Sequence, residues 1–179
     1  MKSSGIDEDR KLISASIPEL DEYLNSQVMF WRIPRLNLML TPGNLLLALM
    51  RTSREQEREL IRAREAINAL TFKRRIAWEQ KALKEIPVRL NQWNGYVQDY
   101  REGGTVDSNF IYAVRVRVIL GLLISAVQFV PLEFVTVLEG LDQQLELLAD
   151  RGSFLWAMEF ATLFPESSYP FLYLHPKGE

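Results

Sequence analysis

The stretch from Phe72 to Tyr100, FKRRIAWEQKALKEIPVRLNQWNGYVQDY, decides the fold. Side chains taken at alternating steps of four and three residues share one face of a helix, and on that face all but Glu79 are apolar or aromatic. The face comprises Phe72, Ile76, Glu79, Leu83, Ile86, Leu90, Trp93, Val97 and Tyr100. The pattern keeps its phase across Pro87, which favours one kinked helix over two separate ones. It therefore predicts a long helix against which the rest of the chain packs.

The polar segment 51–59 precedes this stretch and is predicted to extend the helix, with a loop as the alternative. Oppositely charged side chains recur in it one turn apart, and each such pair stabilises a helix by roughly 0.2–0.5 kcal/mol. The helix either runs through the segment or restarts at Ser53, and it ends at Gly103-Gly104. Uninterrupted from Ser53, it would span roughly 75 Å at 1.5 Å per residue. Either Pro87 folds it back on itself, or part of it projects and meets a second chain.

Several other segments show helical patterns. A capping residue followed by proline marks two helix starts, at Ser16-Ile17-Pro18-Glu19 and at Thr41-Pro42. The helices predicted outside the long one cover about 17–31, 42–50, 110–129, 131–151 and 154–164. The sequence thus predicts an all-α protein, a bundle of five or six helices around a long helix kinked at Pro87.

Two segments have competing interpretations. Within 110–129, the residues from Ala113 to Val118 alternate like a strand, but the apolar run continues beyond the length of a typical strand, so a helix is preferred. The short apolar segment 33–40 is predicted to be a buried connector, with a small strand as the alternative.

The two termini differ from the segment between them. Residues 1–15 are polar and acidic at first and are predicted to be disordered, whereas 16–166 form a single helical domain. Residues 167–179 are predicted to be an extended aromatic tail that contacts protein, because it is too apolar to remain in water. Its candidate interface residues are Tyr169, Phe171, Leu172 and Tyr173. The tail docks either on its own chain or, by exchange, on a dimer partner.

Composition excludes some classes of function. The 179 residues carry a net charge of −2, which argues against a general nucleic-acid binder. The absence of cysteine excludes disulfides, thiolate metal sites and a cysteine nucleophile, and is compatible with the reducing cytoplasm, where we expect the protein to reside. The first residues lack the apolar run of a signal peptide.

No catalytic motif is recognisable. The only histidine, His175, lies in the tail and is a poor candidate for a general base. Neither the Glu and Glu-x-x-His spacing of helical di-iron sites nor a phosphate-binding glycine loop occurs. We therefore expect no catalytic, cofactor-binding or metal-binding residue, although enzymatic function is unsupported rather than excluded.

Charge is unevenly distributed along the chain. The segment 51–75 is basic and the segment 129–166 is acidic. The two segments are expected to face each other, within a chain or across a dimer. The alternative is an anion or RNA surface in which an aromatic ring stacks on a base. Its residues would be Arg62, Lys73, Arg74, Arg75 and Trp78.

Arg115 and Arg117 stand out because their neighbours are apolar. On a helix they point in nearly opposite directions, so at least one faces protein and requires a partner. Glu79, the exception on the apolar face, is the candidate partner in a buried polar pair. A ligand-binding role is the alternative, with a pocket beneath Trp93, Tyr96 and Arg115.

The segment Val118–Leu138 is a candidate membrane span because it contains one formal charge, Glu133. Gln128 and Pro131 interrupt its apolar run, which falls short of the ~17–25 residues that a span requires. We expect a buried helical hairpin there instead.

These patterns favour a non-catalytic interaction or scaffolding protein that dimerises and acts through helix faces and its aromatic tail. One alternative is an RNA- or anion-binding module that uses the basic surface. Another is a helical enzyme or small-molecule binder with a pocket near Trp93.

Overall fold

The computed structural model describes residues 5–103 and 109–177. Within these residues, six α-helices provide most of the regular structure, as the all-α prediction expects. They are α1 (Gly5–Asn25), α2 (Pro42–Arg51), α3 (Arg58–Lys73), α4 (Arg75–Arg101), α5 (Asn109–Ala126) and α6 (Leu132–Leu148). Two antiparallel ribbons are also present, β1 (Trp31–Arg32) with β2 (Met39–Leu40) and β3 (Ala149–Arg151) with β4 (Leu174–Pro176).

The chain divides into two compact units. The first unit contains the residues up to Glu85 together with Leu122–Gln128, and the second contains Ile86–Gly121 and the residues from Phe129 onward. Helices α4 and α5 contribute residues to both units.

Helix α1 corrects the prediction of a disordered N-terminal segment. Residues 5–15 are helical, and Leu12 and Ile13 are buried in the core of the first unit. Asp9 of this segment forms an ion pair of 3.1 Å with Arg51, a partner that local sequence patterns do not indicate. The disorder prediction was wrong because it relied on local polarity.

The predicted helix start at Ser16 is also wrong. Ser16 lies inside α1, and its hydroxyl donates a hydrogen bond of 2.6 Å to the carbonyl of Leu12. Pro18 lies inside the same helix, which ends at Asn25 rather than near residue 31. The predicted cap at Thr41, by contrast, is confirmed, because its side chain accepts a hydrogen bond of 3.1 Å from the backbone N–H of Asn44.

The polar segment 51–59 is not the helix that was predicted. Residues 52–54 form a turn after α2, residues 55–57 are irregular, and α3 begins at Arg58. Arg64 donates hydrogen bonds to the backbone carbonyls of Thr52 and Glu55, the second at 2.9 Å. The guanidinium of Arg64 therefore satisfies loop carbonyls that a continuous helix would bond internally.

The long helix is confirmed in part. Pro87 lies within α4, which continues on both sides of it, and Ile86, Leu90, Trp93 and Val97 are buried as predicted. The helical run is interrupted at Arg74, however, whose dihedral angles are φ −107° and ψ 30°, so that α3 and α4 are separate helices.

The predicted apolar face is wrong in its first two turns. Phe72 is 81% exposed and Ile76 is 75% exposed. At the start of α4 the buried side chains are Trp78, Ala82 and Glu85. These residues lie roughly half a turn around the helix from Ile76, at 100° per residue. The start of α4 thus buries a different side from the one that apolar spacing predicts.

The connector 33–40 contains both predicted features. Ile33 is buried, and Met39–Leu40 forms the short strand β2, paired antiparallel with β1. Arg35 has a positive φ of 61° in the turn between the strands.

The remaining predictions concern the segments from residue 103 onward. Residues 109–126 form a helix, as preferred, and α6 follows Pro131 as predicted. The helix predicted at 154–164 is wrong, since only Met158–Phe160 forms a single 3-10 turn. Helix α4 is followed by Gly103 with a positive φ of 79°, whereas Gly104 lies outside the described residues.

The C-terminal tail is not simply extended. Pro170–Tyr173 forms a 3-10 turn and leads into β4. Phe171, Leu172 and Leu174 are buried against their own chain, which agrees with the first of the two alternatives. Among the described residues, we found no helix with the length and apolar character needed to cross a lipid bilayer.

Candidate interaction surface

The solvent-facing side of α3 carries an unusual combination of residues. The opposite side of the helix buries Leu60, Ala63 and Ile67 in the core of the first unit. The solvent side continues past the break at Arg74 to Ile76. We call this surface the α3 ridge, which comprises the exposed residues Arg62, Glu65, Ala66, Ala69, Phe72, Lys73 and Ile76. Phe72 and Ile76 make the ridge apolar where most exposed helix faces are polar.

A groove of about 420 Å³ lies beside the ridge, within the first unit. Phe72 and Trp78 both line it, and Trp78 is only 7% exposed. The remaining lining residues come from α3, from the start of α4 and from the end of α5: Asn68, Thr71, Arg75, Glu79, Ser125, Ala126, Val127 and Gln128. The groove is thus partly apolar and adjoins an exposed aromatic ring.

The predicted anion surface is only partly assembled. Arg74 forms an ion pair of 3.2 Å with Asp21, and Arg75 forms one of 2.9 Å with Glu79. Trp78 belongs to the buried core of the first unit, so it does not present an open ring face for a base. Arg62 and Lys73 remain exposed on the α3 ridge.

Two arginines of the basic segment form ion pairs with α1. Arg51 pairs with Asp9 and Arg74 pairs with Asp21, and both aspartates belong to α1. In the acidic segment, Asp142 pairs with Arg117 of α5. These residues therefore do not make the predicted pairing of segment 51–75 with segment 129–166 within one chain, and pairing across a dimer stays a prediction.

The predicted contact of Glu79 with Arg115 or Arg117 is also wrong. Glu79 pairs with Arg75, one turn away on α4. Arg117 instead binds Asp142 through two nitrogens, with distances of 2.6–2.9 Å. Arg115 is half-buried.

The residues around Arg117 form a packed cluster in the second unit. The indole N–H of Trp93 donates a hydrogen bond of 3.2 Å to the Asp142 carboxylate. The guanidinium of Arg117 lies 4.4 Å from the centre of the Phe171 ring, a cation–π contact with the tail. Tyr96 packs edge-on against Tyr112, with ring centres 6.3 Å apart. Trp93 and Tyr96, two of the residues proposed for a ligand pocket, thus contact neighbouring side chains.

The candidate interface residues of the tail are largely used within the second unit. Phe171 and Leu172 are buried. The Tyr173 hydroxyl donates a hydrogen bond of 3.2 Å to the carbonyl of Phe164, and the ring of Tyr169 lies 5.0 Å from that of Phe164. The most apolar side chains of the tail are therefore not on the surface of this chain.

Sequence patterns missed a buried polar cluster in the first unit. The ammonium of Lys81 donates hydrogen bonds to the carbonyls of Ser26 and Val28, and it lies 4.4 Å from the centre of the Tyr23 ring. One turn further along α4, Glu85 is fully buried and bonds to the start of α2. The spacing of Lys81 and Glu85 gave no signal, since charged residues one turn apart are usually assigned to a solvated face.

Burial changes the proton affinities in this cluster. Burial lowers the pKa of Lys81, with a smaller contribution from the nearby charge of Lys84. Burial also raises the pKa of the Tyr23 phenol, and the charge of Glu85 adds to that increase. The phenol donates a hydrogen bond of 2.9 Å to the carbonyl of Met29. Lys81 and Tyr23 thus bind the segment that follows α1, and Glu85 binds the start of α2, so we assign these groups a structural role.

Other chemistry has little support in the described residues. The imidazole Nε2 of His175 lies 2.7 Å from the carbonyl oxygen of Ser153, in the tail region. Residues 5–103 and 109–177 contain no group of three or more His, Cys, Asp or Glu side chains that could hold a metal ion. No family model, curated protein or solved structure matches this chain. The α3 ridge and its groove are the best candidate site.

Proposed function

We propose that this protein is a non-catalytic interaction protein that associates with a second copy of itself through the α3 ridge. The observation that carries the proposal is the exposure of Phe72 and Ile76, 81% and 75%, beside a groove of about 420 Å³. Complete burial of one such side chain stabilises a protein by roughly 1.5–3 kcal/mol relative to exposure. Two large, exposed apolar side chains on the α3 ridge therefore favour association with another protein molecule.

A second copy of the chain suits this surface because the α3 ridge carries both apolar side chains and charges of opposite sign. Phe72 and Ile76 project from the ridge, and the partly apolar groove beside Phe72 extends the same patch. The same surface has both signs of charge, with Glu65 near Arg62 and Lys73 further along α3. In a twofold dimer the same patch contributes both halves of the contact, so such mixed character is favourable. The cysteine-free sequence is compatible with a cytoplasmic location for the dimer.

The alternatives have weaker support. An RNA- or anion-binding surface requires free cations and an open aromatic face, whereas Arg74 and Arg75 form ion pairs and Trp78 is buried. A partner that binds the tail would have to displace Phe171 and Leu172 from the chain's own core. A ligand pocket at Trp93 would require the hydrogen bond to Asp142 to break.

Sedimentation equilibrium and size-exclusion chromatography with light scattering test the proposal. The wild-type protein should be a dimer at micromolar concentration. The substitution Phe72→Ser should weaken association by about 30-fold or more, corresponding to a hot-spot loss of about 2 kcal/mol. At concentrations where both proteins are monomeric, it should leave the melting temperature nearly unchanged, because Phe72 is exposed in the single chain.

Leu132→Ser provides the matched control. Leu132 is 76% exposed, but it begins α6 in the second unit. Its substitution removes a similarly exposed apolar side chain and should not change the dissociation constant. A wild-type protein that stays monomeric at all accessible concentrations would overturn the proposal. So would a dimer that Phe72→Ser leaves intact.

A further inference from the structure

We infer that two copies pair through antiparallel α3 helices, with the twofold axis beside Ala69 and with Glu65 of each copy facing Lys73 of the other. The inference rests on the proposed function and adds the register of the contact. An antiparallel pair about Ala69 brings together residues that lie equally far on either side of it. Ala66 then faces Phe72, and Glu65 faces Lys73.

The apolar side chains fit this register by size. Ala69 and Ala66 are exposed on α3 and have the smallest side chains of the ridge. At the axis, two alanines allow the helix backbones to approach closely, toward the short end of the 8–10 Å range of helix packing. Phe72 of each copy, 81% exposed, lies over Ala66 of the other, so that a large side chain meets a small one.

The charged side chains support the same register. Glu65 and Lys73 are both exposed, and in the described part of the chain neither side chain forms a hydrogen bond or an ion pair with another residue. They are about 12 Å apart along the axis of α3, too far to pair with each other in one molecule. The antiparallel register places opposite charges face to face, and symmetry repeats the pair.

A shifted register loses this complementarity. Sliding the helices until Lys73 faces Arg62 brings like charges together. Sliding them the other way, until Lys73 faces Ala69, leaves both Lys73 and Glu65 without an opposite charge. Like charges in contact are unfavourable and select against the wrong pairing. Among these three registers, only the one centred on Ala69 satisfies both size and charge.

Charge reversal tests the register directly. E65K and K73E each turn two attractive pairs into two repulsive ones, so each should raise the dissociation constant of the dimer by tenfold or more, about 1.4 kcal/mol. The double variant E65K/K73E should bind within about threefold of wild type. Mixing the two single variants should restore association as well, because their charges complement each other across the axis.

The rescue cannot arise within one molecule, since the two positions are too far apart on α3. Circular dichroism melting should show that all variants fold like wild type. E139K is the matched control, because Glu139 is exposed on α6 in the second unit, and it should not change the dissociation constant.

The outcomes separate this inference from the proposed function. A dimer that Phe72→Ser disrupts, but that neither charge reversal weakens, would overturn the register and leave the proposed function standing. Weakening by the single variants without rescue in the double variant or in the mixture would also overturn it. A wild-type monomer at all concentrations would overturn both.

Discussion

The hydroxyl of Thr41 donates a hydrogen bond of 2.8 Å to the buried carboxylate of Glu85, which connects the N-cap of α2 to the middle of α4. The other carboxylate oxygen accepts a hydrogen bond of 2.8 Å from the backbone N–H of Gly43. A negative charge is favourable at the N-terminus of a helix, where unpaired N–H groups carry partial positive charge. Glu85 therefore stabilises the start of α2 through its charge and through its hydrogen bonds.

Glu85→Gln should destabilise the protein by about 1–3 kcal/mol, as expected when a buried, charge-assisted hydrogen-bond network is left incomplete. The substitution preserves size but removes the charge and replaces one acceptor with a donor. Urea unfolding followed by circular dichroism measures the change. Glu139→Gln, at an exposed position, should stay within about 0.5 kcal/mol of wild type. Equal effects of the two substitutions would contradict this role for Glu85.

Tyr23 gives the protein a pH dependence at alkaline pH. Burial raises the pKa of its phenol above the ordinary value, so the folded state holds this proton more tightly than the unfolded chain. Above a pH of about 10 the unfolded chain loses the proton first. The folded state then binds more protons than the unfolded state, and the contribution of Tyr23 to stability decreases as pH rises.

Tyr23→Phe should therefore show a pH-dependent effect. At pH 8 it should cost about 0.5–1.5 kcal/mol, because the hydrogen bond to the carbonyl of Met29 is lost. The difference from wild type should shrink as the pH rises above about 10, when the wild type loses the contribution of its phenol. Lys81 is present in both proteins, so its own titration cancels to first order. A difference that stays constant from pH 8 to pH 11 would contradict the assignment.

The sequence predicts an element well when the contacts of that element follow from its own residue spacing, and poorly when its partners are distant in sequence. The second half of α4 was predicted well, because Ile86, Leu90 and Trp93 are apolar and are buried at the expected spacing. The first half was not, because apolar spacing does not reveal which side of a helix faces the core. There Lys81 and Glu85 are buried, and their partners, Ser26 after α1 and Thr41 before α2, are distant in sequence.

The candidate site was predicted only in fragments. Lys73 and Arg62 belong to the basic surface that the sequence offered as an alternative, and both side chains are exposed. Phe72 was expected to be buried, since hydrophobic residues at helical spacing usually face the core. Ala66 and Ala69 gave no signal, because small residues suit both buried and exposed helix positions. The α3 ridge can be identified only from the structure, in which the buried side of α3 shows which residues face solvent.

The ion pair between Arg117 and Asp142 should contribute coupling that is measurable in a double-mutant cycle. The two side chains are partly buried and share two hydrogen-bonded nitrogens, so the pair should exceed the 0–1 kcal/mol of most surface pairs. Arg117→Met and Asp142→Asn should each destabilise the protein, and the double variant should lose less than the sum by about 1–3 kcal/mol. Additive losses in thermal or urea unfolding would show that the pair contributes no coupling.

A substitution in the tail should change the stability of the fold, whereas a substitution on the α3 ridge should change association. Phe171→Ala removes a buried ring that also contacts the guanidinium of Arg117, so it should cost about 3–5 kcal/mol of unfolding free energy. It should leave the dissociation constant of the folded dimer unchanged, because Phe171 is inside the second unit.

Phe72→Ser should do the opposite, with weaker association and a nearly unchanged unfolding free energy, provided that unfolding is measured at concentrations where the protein is monomeric. If Phe171→Ala dissociates a protein that remains folded by circular dichroism, the tail rather than the α3 ridge mediates the contact.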